Sequence, residues 1–285
     1  MSEPTGAIPA PVSGPSPGAD PADPAELLRL AAEAAERAGE LLASGLHRRR
    51  AVVETKSTAT DMVSEMDRAS ESLIVESLLA ARPDDGVVGE EGSAREGTSG
   101  VRWVIDPLDG TTNYLYGYPG WAVSIAAEGP DGVLAGVVLV PSLGEVFTAT
   151  LGGGARCNGS PIACADQSDL ALALVATGFG YHPARRAAQA EVLVGLLPSV
   201  RDIRRMGAAA VDLCSVACGR VDAYFERGLA WWDLAAGALI AAEAGAVVTS
   251  LAGGPVEPGS VLAAAPGVAN PLRDRLSALG AGEGP

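Results

Sequence analysis

From Asp23 onward, Leu27, Leu28, Ala31, Ala34, Ala35, Ala38, Leu41 and Leu42 recur at three- and four-residue steps. That period predicts an amphipathic helix opened by Asp23-Pro24 and closed at Arg48-Arg49-Arg50. Cations suit the negative end of a helix, so the arginine run reads as a solvated terminus rather than a nucleic-acid patch. A second helix is predicted from about Ser64 to Ala81, with Ser64 and Asp67 at capping-box spacing and Pro83 beyond its end. Val101 to Ile105 is a short apolar strand, which Pro107 is expected to stop. Strands near Val133 to Val140 and Glu145 to Thr150 flank the turn residues Pro141 to Gly144. Gly152-Gly153-Gly154 lacks a following G-K-[ST], so it and Asn158-Gly159 read as hairpin turns and not as a phosphate loop.

The second half alternates: strand 170–176, helix 185–197, helix 207–218, strand 221–226, helix 233–244, then strands 246–250 and 260–264. Gly219 and Gly245 fall just past two of these helices, where a left-handed cap is expected. No internal repeat is evident. Interleaved strands and helices predict a layered α/β fold with a seam near 150–165, dividing the chain into halves of about 25–155 and 156–285. Residues 1–24 hold seven of the twenty prolines and few large apolar side chains, too few to offset ordering entropy, so a disordered tail is expected there.

Composition narrows the function. The net charge of −15 over 285 residues repels phosphodiester backbones and anionic lipid, which argues against nucleic-acid or membrane partners. Lys56 is the only lysine, so an anionic substrate would need cations from elsewhere, and metal ions are the natural source. Asp233 and Glu243 interrupt the most apolar stretch, near Trp231, and no membrane span is expected. The N-terminus shows no basic region followed by an apolar segment, so no secretory signal is expected. Four cysteines without a C-x-x-C and only two histidines argue against zinc and for free buried thiols in a reducing cytoplasm.

The chemistry concentrates in Asp106-Pro107-Leu108-Asp109-Gly110-Thr111-Thr112-Asn113. Two carboxylates three residues apart across a bend, with the Leu108 carbonyl between them, are hard oxygen ligands of the kind Mg²⁺ takes. The backbone N–H groups of Gly110, Thr111 and Thr112 would then offer a seat for phosphate. Taken alone, the segment fits a helix cap and a turn equally well. Glu90 and Glu91 between glycines, Asp233 at the start of a helix, and Asp61 and Asp67 five and eleven residues after Lys56 each have such a plain reading too. Their joint occurrence is harder to dismiss.

Four blocks, in order, resemble the inositol monophosphatase family of Mg²⁺-dependent, lithium-sensitive phosphatases. They are Lys56 through Asp67, Gly89-Glu90-Glu91, Trp103 through Asn113, and Trp232 through Gly245. The resemblance implies the αβαβα sandwich of the sugar phosphatases, an α+β layered fold in a homodimer. It implies Glu90, Asp106 and the Leu108 carbonyl around one Mg²⁺, Asp106, Asp109 and Asp233 around a second, and a third, weaker ion beside Glu90. Glu90 and Thr111 would position the attacking water, with Asp67 hydrogen-bonded to the Thr111 hydroxyl. Asp109 and the amides around Gly110, Thr111 and Thr112 would meet the phosphate, and Lys56 and Asp61 would stand behind the ligands.

The same resemblance implies a small phosphomonoester substrate. Glu226, seven residues before Asp233, matches an acid that accepts hydrogen bonds from inositol hydroxyls, and Ala209 matches a ring contact. Inositol monophosphate is therefore the expected substrate. Histidinol phosphate, fructose 1,6-bisphosphate and 3′-phosphoadenosine 5′-phosphate are the alternatives within the family. A protein-binding regulator of the transcription machinery is the non-enzymatic alternative.

Overall fold

The computed structural model describes Val12, residues 22–51 and residues 59–282, with only the helical backbone for 47–51 and 59–64. Apart from Val12 and residues 22–24, the tail expected over 1–24 falls outside the described residues, as do Lys56 and the side chain of Asp61. Two helices come first, α1 (Pro24–Ala51) and α2 (Ala59–Ala81). Ser64 lies inside α2, five residues past its start, so the expected capping box is not its N-terminus.

An eight-stranded sheet follows: β1 (Gly86–Gly89), β2 (Ala94–Arg95), β3 (Arg102–Asp109), β4 (Ala122–Gly129), β5 (Gly132–Val140), β6 (Glu145–Thr150), β7 (Gly154–Cys157) and β8 (Ser160–Pro161). Its spatial order is β2-β1-β3-β4-β5-β6-β7-β8, with β1 and β3 parallel and the other pairs antiparallel. A short helix, α3 (Thr111–Tyr116), leaves the end of β3. The remaining elements are β9 (Leu174–Thr177), α4 (Pro183–Leu196), β10 (Asp202–Arg204), α5 (Ala209–Ala217), β11 (Ala223–Arg227), α6 (Trp231–Glu243), β12 (Val247–Thr249), β13 (Ser260–Ala264) and α7 (Pro266–Ala278). Their strands form a second sheet in the order β10-β9-β11-β13-β12. No helix among the described residues is long and apolar enough to cross a membrane.

Side-chain alternation assigns the layers. On β3 to β5, Trp103, Ile105, Val123, Ile125 and Val137 pack with α1 and α2, whereas Val104, Ala122, Ala126 and Val138 pack with α5 and α6. On the second sheet, Ala176, Tyr224 and Val261 face α5 and α6, while Val175, Phe225 and Leu262 face α4 and α7. Helices, sheet, helices, sheet, helices: this is the αβαβα sandwich. Sheets buried on both faces read as nearly continuous apolar runs, which is how β3 and β5 look in the sequence. The middle layer is thin because α6 is rich in alanine. A Cβ on Gly136 of β5 would lie 3.0 Å from the Ala236 Cα, so sheet and helix backbones nearly touch.

Both glycine-rich segments are hairpin turns, as expected, while the cysteine and Pro107 readings change. The Gly152–Gly154 turn does bind an anion through its amides, but an internal one. The N–H groups of Gly152 and Gly154 each donate to the Glu243 carboxylate at 2.8 Å. Asn158 (φ 49°) and Gly159 (φ 77°) form the second hairpin turn. All four cysteines are free, but only Cys214 is buried; Cys157, Cys164 and Cys218 are partly exposed. Pro107 does not stop β3, and the reason shapes the site.

Candidate active site

β3 pairs with β4 as Asp106↔Ser124 and then Asp109↔Ala122. Three steps on one strand thus match two on the other, a bulge of one residue. In a regular strand, residues three apart face opposite sides; the extra residue brings Asp106 and Asp109 back to the same side. Pro107 sits where the ladder is interrupted, a place where a missing N–H costs little. The Leu108 N–H donates to Asp106 Oδ1 at 3.0 Å, and the Ser70 hydroxyl of α2 holds the Pro107 carbonyl at 3.0 Å.

One cleft gathers Glu90, Asp106, Leu108, Asp109, Gly110 and Thr111 with Ala209, Glu226 and Asp233. Nine of the residues expected from the sequence therefore line a common space. Asp67 and exposed Thr112 are outside that lining. Gly110 turns the chain with φ 87°, and a Cβ there would lie 3.0 Å from the Gly120 carbonyl oxygen and 3.1 Å from Ala208 Cβ. Only glycine fits both the conformation and the space.

The capping reading of the acids is also realised, for Asp233 at the helix expected and for Asp109 at another. Asp109 caps not α3 but α5, accepting from the Ala210 N–H at 2.7 Å. Asp233 accepts from the Ala230 N–H at 2.6 Å at the start of α6. Burial is the main force raising every carboxyl here. Asp109 is pushed up to about 6, tempered by the α5 amides. Glu90 is pushed up to about 7 and shares a hydrogen bond with Asp106, while Asp106 and Asp233 lie well above the usual carboxylate range. Four crowded, desolvated carboxyls are a set of hard oxygen donors in want of cationic charge, which suits a divalent ion. Among the described residues, no three acids, histidines or cysteines already form a closed metal cage. The fit rests on donor chemistry and on the shared cleft.

Asp67 is buried, with Oδ1 lacking a hydrogen-bond partner among the described residues. Burial, then Glu91 and Glu90, push it up to about 8. Its expected bond to Thr111 is not made: the Thr111 hydroxyl donates to the Leu108 carbonyl instead, at 3.2 Å.

Sequence reasoning missed three supports. Glu71 accepts from the Glu91 and Ser93 N–H groups at 2.9 and 2.8 Å and so pins the loop carrying Glu90. Its only signal is helical spacing, since Asp67, Ser70 and Glu71 share one buried face of α2. Arg205 lines the cleft as a cation and tempers the rise at Asp109 and Glu226. Asn113 donates to the Gly120 and Met206 carbonyls at 2.7 and 2.9 Å, joining the β3 turn to the segment before α5.

The sequence pattern of the inositol monophosphatase family matches residues 23–279, and the chain belongs to that family. It is 47% identical over 232 residues to the inositol-1-monophosphatase of Mycobacterium leprae, spanning 77% of this chain and 79% of the relative. It is 41% identical over 254 residues to Nus factor SuhB of Pasteurella multocida, spanning 88% and 95%. Among solved structures, Mycobacterium tuberculosis SuhB matches with a TM-score of 0.80 at 39% identity, over 92% of this chain and 100% of that one. The family is one of metal-dependent phosphatases, and the layered fold is the fold of its solved members.

Proposed function

We propose that the protein hydrolyses inositol monophosphate to inositol and phosphate with Mg²⁺ as cofactor. The observation that carries this reading is the β3 bulge, which turns Asp106 and Asp109 toward one cleft with Glu90 and Asp233. Glu90, Asp106 and the Leu108 carbonyl, with Asp109 and Asp233, would hold the two or three ions. Bound Mg²⁺ supplies Lewis acidity, lowering the pKa of water and offsetting phosphoryl charge. Glu90 and Thr111 hold the attacking water, and Asp67 supplies a further carboxyl behind Glu90. The Gly110, Thr111 and Thr112 amides receive the phosphate, and the P–O bond to the alcohol breaks with protonation of the leaving oxygen. Glu226 and Ala209 face the polyol. Lys56 and Asp61 are assigned supporting roles by the resemblance alone. Lithium inhibition, a homodimer and a cytoplasmic location belong to the same proposal.

Histidinol phosphate, fructose 1,6-bisphosphate and 3′-phosphoadenosine 5′-phosphate are the competing substrates. Phosphate release from a panel of these with inositol 1-phosphate, in Mg²⁺, decides among them. The highest kcat/KM is expected on inositol 1-phosphate, and a higher value on any other member overturns the assignment. The Pasteurella multocida relative's name, Nus factor SuhB, favours a second reading as a protein-binding regulator of transcription. Capture of transcription proteins equally by wild type and by a catalytically dead variant would support it.

A further inference from the structure

Behind Glu226 the cleft has a rear wall to which the reaction assigns no role. On β11, alternate positions put Tyr224 and Glu226 on the same face, toward the middle layer. Tyr224 is fully buried, and its hydroxyl donates to Glu226 Oε2 at 2.6 Å. On the opposite flank, Glu226 lies against Gly178, where a Cβ would collide with both carboxylate oxygens. Behind them stands Asp212, buried on α5 with Oδ2 lacking a hydrogen-bond partner among the described residues. Arg205 is the cation facing this group, tempering both Asp212 and Glu226. Burial disfavours charge on Glu226, and the Tyr224 hydroxyl is the hydrogen-bond donor that favours it.

We propose that Tyr224 is the positioning residue for substrate selection, holding Glu226 Oε2 against Gly178 so that Oε1 meets the polyol hydroxyls. The inference rests on the reading that Glu226 faces the polyol. Tyr224 touches no substrate; it acts through Glu226. A hydrogen bond to a charged acceptor is stronger than a neutral one, and orienting that acceptor removes a cost from binding. The hydroxyl is buried under the carboxylate, so water cannot replace it cheaply.

The experiment measures kcat and KM on inositol 1-phosphate and glycerol 2-phosphate for wild type, Tyr224→Phe, Glu226→Gln and the double variant. Tyr224→Phe is expected to lower the ratio of the two kcat/KM values about tenfold, mainly through KM for inositol 1-phosphate. In the Glu226→Gln background the same change is expected to leave the ratio where it stands, since the acting group is already altered. Equal losses on both substrates, or additive effects in the double variant, overturn the proposal. Should Tyr224→Phe misfold, Gly178→Ala displaces Glu226 from the other side. It is expected to lower the same ratio, and an unmoved ratio is again fatal. A wild type without preference for inositol 1-phosphate removes the underlying reading, a result separable from a selective wild type whose ratio Tyr224→Phe leaves intact.

Discussion

Glu71→Gln is a sharp perturbation because Glu71 touches neither substrate nor the proposed metal ligands directly. Its two oxygens receive the Glu91 and Ser93 N–H groups, and a Cβ on Gly89 would collide with them. Glutamine keeps the shape but presents one acceptor and one NH₂, so one backbone N–H must face another donor. Losing a bond to a carboxylate and leaving a half-buried amide unpaired costs about 2–3 kcal/mol. For a chain of this size that lowers Tm by about 4–12 °C. The freed loop carries Glu90, so kcat is expected to fall at least about tenfold, since small displacements of catalytic groups are costly. Thermal melting followed by circular dichroism and phosphate release under saturating Mg²⁺ read the two effects. A variant as stable and as active as wild type would refute the reasoning.

Two further outcomes are expected. Thr111→Ala lowers kcat with little change in KM, whereas Thr111→Ser keeps most of the rate; identical behaviour of the two would reduce Thr111 to a structural cap. Metal-free protein loses stability as pH rises. Glu90, Asp109 and Asp67 titrate at about 7, 6 and 8 when folded, above their ordinary values of 4.5, 3.8 and 3.8. The folded state therefore binds more protons than the unfolded one between about pH 4 and pH 8, and stability falls across that window. Melting in EDTA against melting in Mg²⁺ checks it: Mg²⁺ must stabilise more at pH 8 than at pH 5, because its ligands must be deprotonated. A metal-free Tm that rises over this range contradicts the burial of these acids.

Most of the cleft was legible because its acids come in short segments with strong local punctuation. Asp106 ends an apolar run, Gly110 follows Asp109, and Asp233 opens an alanine-rich helix. The bulge itself was not legible: Pro107 looks like a strand terminator until the pairing with β4 is known. Strand β4 carries no clean alternation, since both its faces are buried. Helix α7 was missed because Pro271 sits inside it. Glu71, Arg205, Tyr224 and Asp212 were invisible for a different reason. Each is an ordinary polar residue on a helix, strand or loop, and its meaning comes from what the fold brings against it. Asp109 shows both sides of this, since its place in the cleft was readable while its partner on α5, 101 residues away, was not.

The central claim is that the acids around the β3 bulge form a metal-dependent phosphatase centre. Phosphate release from inositol 1-phosphate, by wild type and Asp106→Asn, in EDTA and in millimolar Mg²⁺, tests it most directly. Release is expected only from wild type in Mg²⁺, with Asp106→Asn folded and inactive in both. Full activity of wild type in EDTA, or of Asp106→Asn in Mg²⁺, would contradict it.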